Sequence, residues 1–556
     1  MAQHIRRMLV ANRGEIAVRV IRACRDAGIQ SVAIASTADA DAKHARLADE
    51  VHSLAGNSPA ETYLNQAAIL AIARKSGVDA VHPGYGLLSE NAEFAAAVEG
   101  EGLIWIGPKA TVIAALGDKV KAREIAQAAG APLLPASADG DLTVQTAEAF
   151  VAEHGLPVMI KAINGGGGRG MRIVREIAQI PQLLESAQRE AGVAFGKPEC
   201  FIERYAENAR HVETQCLADR YGNVQVLSTR DCTLQRRQQK LIEEAPAPFL
   251  SAAQVSQLEE VSRAILKRVS YSGAATCEFL LTSEGQLSFL EVNTRVQVEH
   301  PVTEEVTGMD IIRAMIQIAI GGKISESPPV VRGHAIEFRI NSEDLWEDFR
   351  PAPGNVTGLS LPGGPGVRND IGYDLGDTVP PFYDSLFGKV IVRGETRAEA
   401  IDRARRALSE FAVSGIKTIA PLHRALLERP EFAAPSEENF VVHTKWIDEN
   451  LPSLTREASG LLTTAPVATF ASAPTQDESE EDGPEYRIGI PAPLSGLVLE
   501  WKIEIGDIVS PGDEIAVMEA MKMEQTIVAE TSGVVAHFLV ETGGFIDAEE
   551  DLIGLD

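Results

Sequence analysis

A composition break near residue 450 constrains this chain more than any other feature. From Leu451 to Glu485 the sequence is dominated by Ala, Thr, Ser and Pro and carries the acidic run Asp477 to Asp482. A stretch with so little to bury reads as a linker. The chain therefore divides into a large part before it and about 70 residues after it. About 35 flexible residues have an r.m.s. span near 30 Å. The last part repeats itself. Pro493 to Val498 is echoed by Glu530 to Val535 at an offset of 37, and Ala492 maps to Ala529, Gly496 to Gly533, Gly506 to Gly543 and Val509 to Ile546. Two copies of a strand-turn-strand unit predict a small pseudo-twofold β sandwich and are too few for a solenoid. Between the copies, Glu519 to Glu524 places Lys522 at an exposed turn with Met521 and Met523 on either side.

The large part alternates strand and helix at its start. Met8–Ala11, Ser31–Ser36, Ala80–His82 and Leu103–Ile106 read as strands; Gly14–Ala27 and Ala67–Lys75 read as helices. That alternation predicts a parallel, doubly wound sheet. Residues 119 to 322 mix β and α, and 333 to 448 are richer in strands with Pro-Gly punctuation. At 556 residues the length prior is about three or four domains. The net charge of −28 argues against a general nucleic-acid or anionic-membrane binder. Cys24, Cys200, Cys216, Cys232 and Cys277 are scattered and form neither a disulfide framework nor a zinc spacing. No apolar run reaches the length of a membrane span. A reducing, cytoplasmic location is the expectation.

The chemistry clusters in the middle of the chain. Lys161 to Met171 holds four successive glycines, Gly165 to Gly168, after an apolar strand, with Arg169 beside them. Backbone N–H groups in such a loop approach an anion closely, which suits a polyphosphate. Ala275–Leu280 and Phe289–Thr294 read as adjacent strands joined at Ser283–Gly285. Glu291 and Asn293, two apart, share a face, and Glu278 joins them from the neighbouring strand. An oxygen-only cluster of this kind suits Mg²⁺. Arg295, Gln297 and Glu299 continue the same alternation. Ser228 to Lys240 is an island of positive charge in an acidic chain, suited to a small anion beside a transferring phosphoryl group.

Together the Gly-rich loop, the Glu278…Glu291-Val-Asn293 cluster, Arg230-Asp-Cys-Thr-Leu-Gln-Arg-Arg237 and Gln297-Val-Glu-His-Pro-Val-Thr-Glu304 resemble biotin carboxylase of the ATP-grasp superfamily. Glu519-Ala-Met-Lys-Met523 resembles the biotinylation site of biotin carboxyl carrier protein. The order of the two is similar to the alpha subunit of bacterial acyl-CoA carboxylases. The resemblance implies a doubly wound N-terminal domain (1–118), an ATP-grasp domain (119–322) and an α+β C-terminal domain (333–448). A linker (449–486) and a lipoyl-like β-sandwich carrier (487–556) would follow.

It implies that ATP and bicarbonate form carboxyphosphate, whose carbon dioxide is trapped on N1′ of biotin. By motif, Lys119, Lys161, Gly166, Gly167, Gly168, Glu203, His211 and Gln235 would line the ATP pocket. Glu278, Glu291 and Asn293 would hold Mg²⁺ or Mn²⁺. Lys240, Arg295, Gln297, Val298 and Glu299 would hold bicarbonate, with Glu299 as general base and Arg295 and Arg339 stabilising the biotin enolate. Lys522 would carry biotin. Implied partners are a biotin protein ligase and a carboxyltransferase beta subunit, in a hetero-oligomer that includes carboxylase dimers, with no nucleic acid and no membrane. The resemblance extends to the ATP-dependent subunit of a two-subunit pyruvate carboxylase, so the acceptor stays open; a non-catalytic biotin carrier is a further reading. Thr233 and Gln238 depart from the usual family residues beside Lys240.

Overall fold

The computed structural model of the chain describes residues 4–137, 142–163, 170–325, 327–461, 486–521 and 523–556. The first strands are β1 (Arg7–Val10), β2 (Gln30–Ala35), β3 (Glu50–Ser53), β4 (Ala80–His82) and β5 (Ile104–Trp105). They form one parallel sheet in the order β3-β2-β1-β4-β5. Reversal of strand order about β1 is the doubly wound pattern that the alternation predicts. The helix Gly14–Asp26 and the helix Gln66–Ser76 stand where their apolar periods place them. Leu9, Val32, Ile34 and Val81 are wholly buried in this sheet's core.

Three strands follow, β6 (Val158–Ala162), β7 (Met171–Val174) and β8 (Cys200–Arg204), in the order β7-β6-β8. The larger sheet begins with β9 (Arg210–Ala218), β10 (Val224–Arg236), β11 (Gln239–Ala245), β12 (Gly273–Leu281), β13 (Leu287–Asn293) and β14 (His334–Asn341). The strands Leu386–Gly394 and Val367–Ile371 complete it beyond β14, giving eight strands. Because β11 pairs with β14, one continuous sheet crosses the division expected between 322 and 333.

Two expectations are corrected. The linker expected from 449 does not begin there: Trp446–Ser459 is a helix whose Leu454 and Ala458 are fully buried in the adjoining core. The strand alternation expected through Arg295, Gln297 and Glu299 stops at Asn293. Pro301 lies in the first turn of the helix His300–Thr307, where its missing N–H has no partner to lose, and Glu299 is that helix's N-cap residue.

The C-terminal unit makes the 37-residue repeat visible in three dimensions. Its two sheets of four strands exchange with each other under the offset: Gly496–Trp501 maps to Gly533–Phe538, and Ile508–Val509 to Phe545–Ile546. The core repeats as well: Ile490 and Ile527, Val498 and Val535, Ile515 and Leu552, and Met518 and Leu555 are all buried. Trp501 and its counterpart Phe538 stack on each other at 4.3 Å. Strands Glu514–Ala520 and Met523–Val528 form the hairpin between the copies, with Ala520 opposite Met523. Lys522, at its turn, lies outside the described residues.

Candidate active site

Six strands of the large sheet deliver the site's side chains by alternation. His211 and Glu213 come from β9, Gln235 from β10, Lys240 and Glu243 from β11, Glu278 from β12, Glu291 and Asn293 from β13, and Arg339 from β14. At the centre stands the Lys240 ammonium. Its Nζ lies 2.8 Å from Glu213 Oε2, 2.9 Å from Glu278 Oε1 and 2.7 Å from Glu299 Oε1. Three donors meet three carboxylates, so the lysine is fully satisfied. Arg339 binds the other oxygen of Glu299 at 3.0 Å and Glu243 at 2.5 Å. Arg230, wholly buried, supports the floor by donating to Glu213 (2.5 Å), Gln215 (2.6 Å) and Thr276 (3.0 Å).

Charge pairing decides the protonation states. Burial opposes ionisation of Glu299, but Lys240, the directly bound Arg339 and, further out, Arg230 hold its carboxyl down at about 2 despite the nearby Glu213. Glu278 and Glu213 are likewise held well below the usual carboxylate range against burial, chiefly by Lys240, with His211 and Arg230 respectively. Burial opposes the charged form of His211, yet Glu278 raises it to about 9. Glu299 therefore stands as an ionised acceptor throughout the neutral range. Glu291 differs: burial and then the charge of Glu278 push its carboxyl up. Glu278 and Glu291 face each other across the β12–β13 register, with Asn293 donating to Glu278 at 2.9 Å. Two neighbouring carboxylates that repel, one buried and one half-buried, beside a carboxamide, are what a hard divalent cation relieves, so these residues fit Mg²⁺.

The remaining predicted residues surround this centre. Gln297 donates to Glu278 at 2.9 Å and accepts from Arg295 at 3.1 Å. Val298 offers its carbonyl, which accepts from the buried Lys389 at 2.8 Å. Gln235 reaches His211 at 3.0 Å. Further out, Lys119 opens the helix Lys119–Ala128 because the Asp118 side chain caps the N–H groups of Val120 and Lys121. Burial lowers the Lys119 ammonium from its usual range. A cavity of about 580 Å³ opens beside it, lined by Gly117 to Lys121, Glu124 and Ile163. Lys161 forms an ion pair with Glu203. Gly166, Gly167 and Gly168 lie outside the described residues.

Sequence reasoning missed two members, Glu90 and Glu213. Glu90 binds Arg295 at 2.9 Å and the Thr294 N–H at 2.9 Å. Glu213 and Glu243 hold Lys240 and Arg339. The signal for Glu213 was present, since His211 and Glu213 are two apart like Glu291 and Asn293. The two departures serve structure: the Thr233 hydroxyl accepts from the His211 N–H at 3.0 Å, and Arg237 and Gln238 (φ +46° and +67°) make the left-handed turn between β10 and β11.

Comparison with known proteins matches the chain to four sequence families. "Biotin carboxylase, N-terminal domain" matches residues 4–113 and "Carbamoyl-phosphate synthase L chain, ATP binding domain" 118–327. "Biotin carboxylase C-terminal domain" matches 337–449 and "Biotin-requiring enzyme" 489–555. The biotin-dependent acyl-coenzyme A carboxylase alpha3 subunit of Mycobacterium leprae is 45% identical, over 98% of both chains. The chain belongs to the alpha subunits of biotin-dependent acyl-CoA carboxylases.

One of the pyruvate carboxylase subunits of Methanothermobacter thermautotrophicus is 44% identical over 80% of this chain and 89% of its own. The biotin carboxylase domain of Hydrogenobacter thermophilus 2-oxoglutarate carboxylase, solved with MgADP, ADP and bicarbonate, has a TM-score of 0.77 and 41% identity. It covers 82% of this chain and 99% of its own. This alpha subunit is thus an enzyme, an ATP-dependent biotin carboxylase joined to a biotin carrier, and its cofactors are biotin, ATP and Mg²⁺. No helix among its described residues is long and apolar enough to cross a membrane.

Proposed function

We propose that this alpha subunit carboxylates the biotin on its own Lys522 and passes it to a separate carboxyltransferase beta subunit, which carboxylates a short acyl-CoA, acetyl-CoA or propionyl-CoA. The observation that carries the acceptor class is the match over 98% of both chains to an acyl-CoA carboxylase alpha subunit. The pyruvate carboxylase relative supports a second acceptor but matches 80% of this chain. The net charge of −28 also favours an acyl-CoA site on the partner, since acyl-CoA is polyanionic. We further divide the chain into the N-terminal, ATP-grasp, C-terminal and carrier units anticipated from its motifs. Five buried, unpaired cysteines fit a cytoplasmic setting.

In this reading Glu299 takes the proton of bicarbonate, and its low-lying carboxyl keeps it ready to accept. Lys240, Arg295, Gln297 and the Val298 backbone hold the anion. Arg339, pinned between Glu243 and Glu299, meets the negative charge that develops on the biotin ureido oxygen. Lys119, Lys161, Glu203, His211, Gln235 and the Gly166–Gly168 loop line the nucleotide. Glu278, Glu291 and Asn293 would hold Mg²⁺, which offsets charge on the phosphate oxygens. Biotin supplies the ureido nitrogen that carries the carboxylate.

The test is an acceptor survey. The alpha subunit, labelled with ATP and labelled bicarbonate and freed of both, is chased with acetyl-CoA, propionyl-CoA or pyruvate in the presence of its co-purifying partner. Label moving to an acyl-CoA and not to pyruvate is expected; movement to pyruvate alone would contradict the assignment.

A further inference from the structure

Among the described residues, a row of carrier side chains meets the carboxylase. Phe545, Leu497 and Glu519 are cross-strand neighbours in one carrier sheet, paired Leu497 with Phe545 and Leu497 with Glu519. Opposite them stand Ser58, Pro59, Pro381 and Phe382 of the carboxylase, with a residual gap of about 20 Å³, room for about one water. The Phe382 and Phe545 rings meet at 4.7 Å between centroids. At the end of the row the Met521 N–H donates to the Pro381 carbonyl at 2.8 Å. Met521 is 3% exposed and packs into the carboxylase's C-terminal core, although it belongs to the carrier hairpin and precedes Lys522 in sequence.

The receiving loop is held rigid from behind. Tyr383, buried, takes the Arg13 guanidinium over its ring at 4.2 Å and an edge contact from Tyr63 at 5.3 Å, while Arg13 is paired with Asp39. The loop then runs straight into the strand Leu386–Gly394, whose Lys389 is registered with Arg339. Docking is therefore built beside the strand that carries an active-site arginine.

The carrier's own symmetry supplies a control. Under the 37-residue offset, Phe545 corresponds to Ile508 and Leu497 to Val534, and those two are paired in the same way. Yet Ile508 is 78% exposed and Val534 40%. Of two equivalent apolar rows on one scaffold, the one beside the biotin hairpin is half-buried and the other exposed.

Building on the reading that the carboxylase acts on its own carrier, we propose that Phe382 is a carrier-recognition residue. Together with Pro381, Ser58 and Pro59 it forms a docking face for the carrier of the same chain, read by Phe545, Leu497 and Met521. Phe382 is a positioning residue and takes no part in the chemistry.

The test uses the full biotinylated chain and compares Phe382→Ala, Phe545→Ala and Ile508→Ala with the native sequence. Two rates are read on each preparation: ATP-dependent label on the chain's own biotin, and ATP-dependent carboxylation of added free biotin. Biotin content reports that the carrier is folded. For Phe382→Ala and Phe545→Ala the ratio of self-labelling to free-biotin carboxylation should fall at least tenfold, with the double variant close to the worse single. Ile508→Ala should keep the native ratio. Ratios within twofold of native for either phenylalanine variant, or an equal loss for Ile508→Ala, would overturn the proposal. A native chain that labels neither biotin would overturn the underlying reading as well, and so is distinguishable. Mixing a Lys522→Ala chain with a Glu299→Ala chain tests the same-chain assignment. Label should appear at least tenfold more slowly than in the native chain, and label at the native rate would give the face to a second copy's carrier.

Discussion

The carboxylase site and the carrier solve opposite problems. The site gathers charge that no single segment could hold. Glu213 and Glu299 are fully buried, Lys240 sits among three carboxylates, and their partners come from strands and loops far apart in sequence. The carrier instead repeats one apolar plan at an offset of 37, and among its described residues no charged side chain is buried. In the proposed reading its one reactive group is the biotin on Lys522, which in sequence falls between the hairpin strands Glu514–Ala520 and Met523–Val528. The comparison teaches that fixed electrostatics needs long-range architecture, whereas presenting a movable group needs only a stiff local scaffold.

Breaking the charge network should have the largest effect. Lys240→Met leaves Glu213, Glu278 and Glu299 without their shared cation, and should destabilise the carboxylase by about 3–5 kcal/mol. Denaturant unfolding of the full chain should show this loss in the carboxylase transition and leave the carrier transition in place. Glu299→Ala removes the proposed base, so biotin carboxylation should slow by about 10²–10⁴-fold while biotinylation of Lys522 is retained. Undiminished carboxylation in that variant would remove Glu299 from its role.

Titration sharpens the contrast. His211 is raised from its ordinary value to about 9, after burial is overcome by Glu278. In the folded, metal-free and nucleotide-free chain its contribution is therefore full below pH ~6.5 and is lost as pH rises through about 9. That contribution is on the order of 3 kcal/mol. His211→Gln should flatten the fall in carboxylase stability over that window, measured by unfolding midpoint against pH. The carrier transition should be indifferent to the substitution. The smallest effect tests the symmetry: Ile490→Val and Ile527→Val are equivalent by the repeat, and each should cost about 0.5–1.5 kcal/mol of carrier stability. Costs that differ severalfold would show that the copies do not share one core.

The same contrast explains what the sequence revealed. The carrier's repeat and the β12–β13 hairpin were legible because each is local: Ala492 with Ala529, Glu278 with Glu291. The N-terminal parallel sheet was legible from its alternation. Arg295 and Glu90 meet across 205 residues, and Arg339 and Glu299 across 40, with no periodicity to announce either contact. Glu299 was placed on a strand by extrapolating a period of two, whereas Pro301 starts a helix that overrides it. Pro452 and the polar composition around it disguised the end of the helix Trp446–Ser459, which tertiary burial of Leu454 and Ala458 stabilises.

The most direct measurement is retained label on the biotinylated chain incubated with Mg-ATP and labelled bicarbonate, with Lys522→Ala beside it. Label that requires ATP and vanishes with Lys522 is the predicted result, since both halves of the reaction reside in this chain. Absence of label on fully biotinylated protein would contradict it and leave a carrier without a working carboxylase.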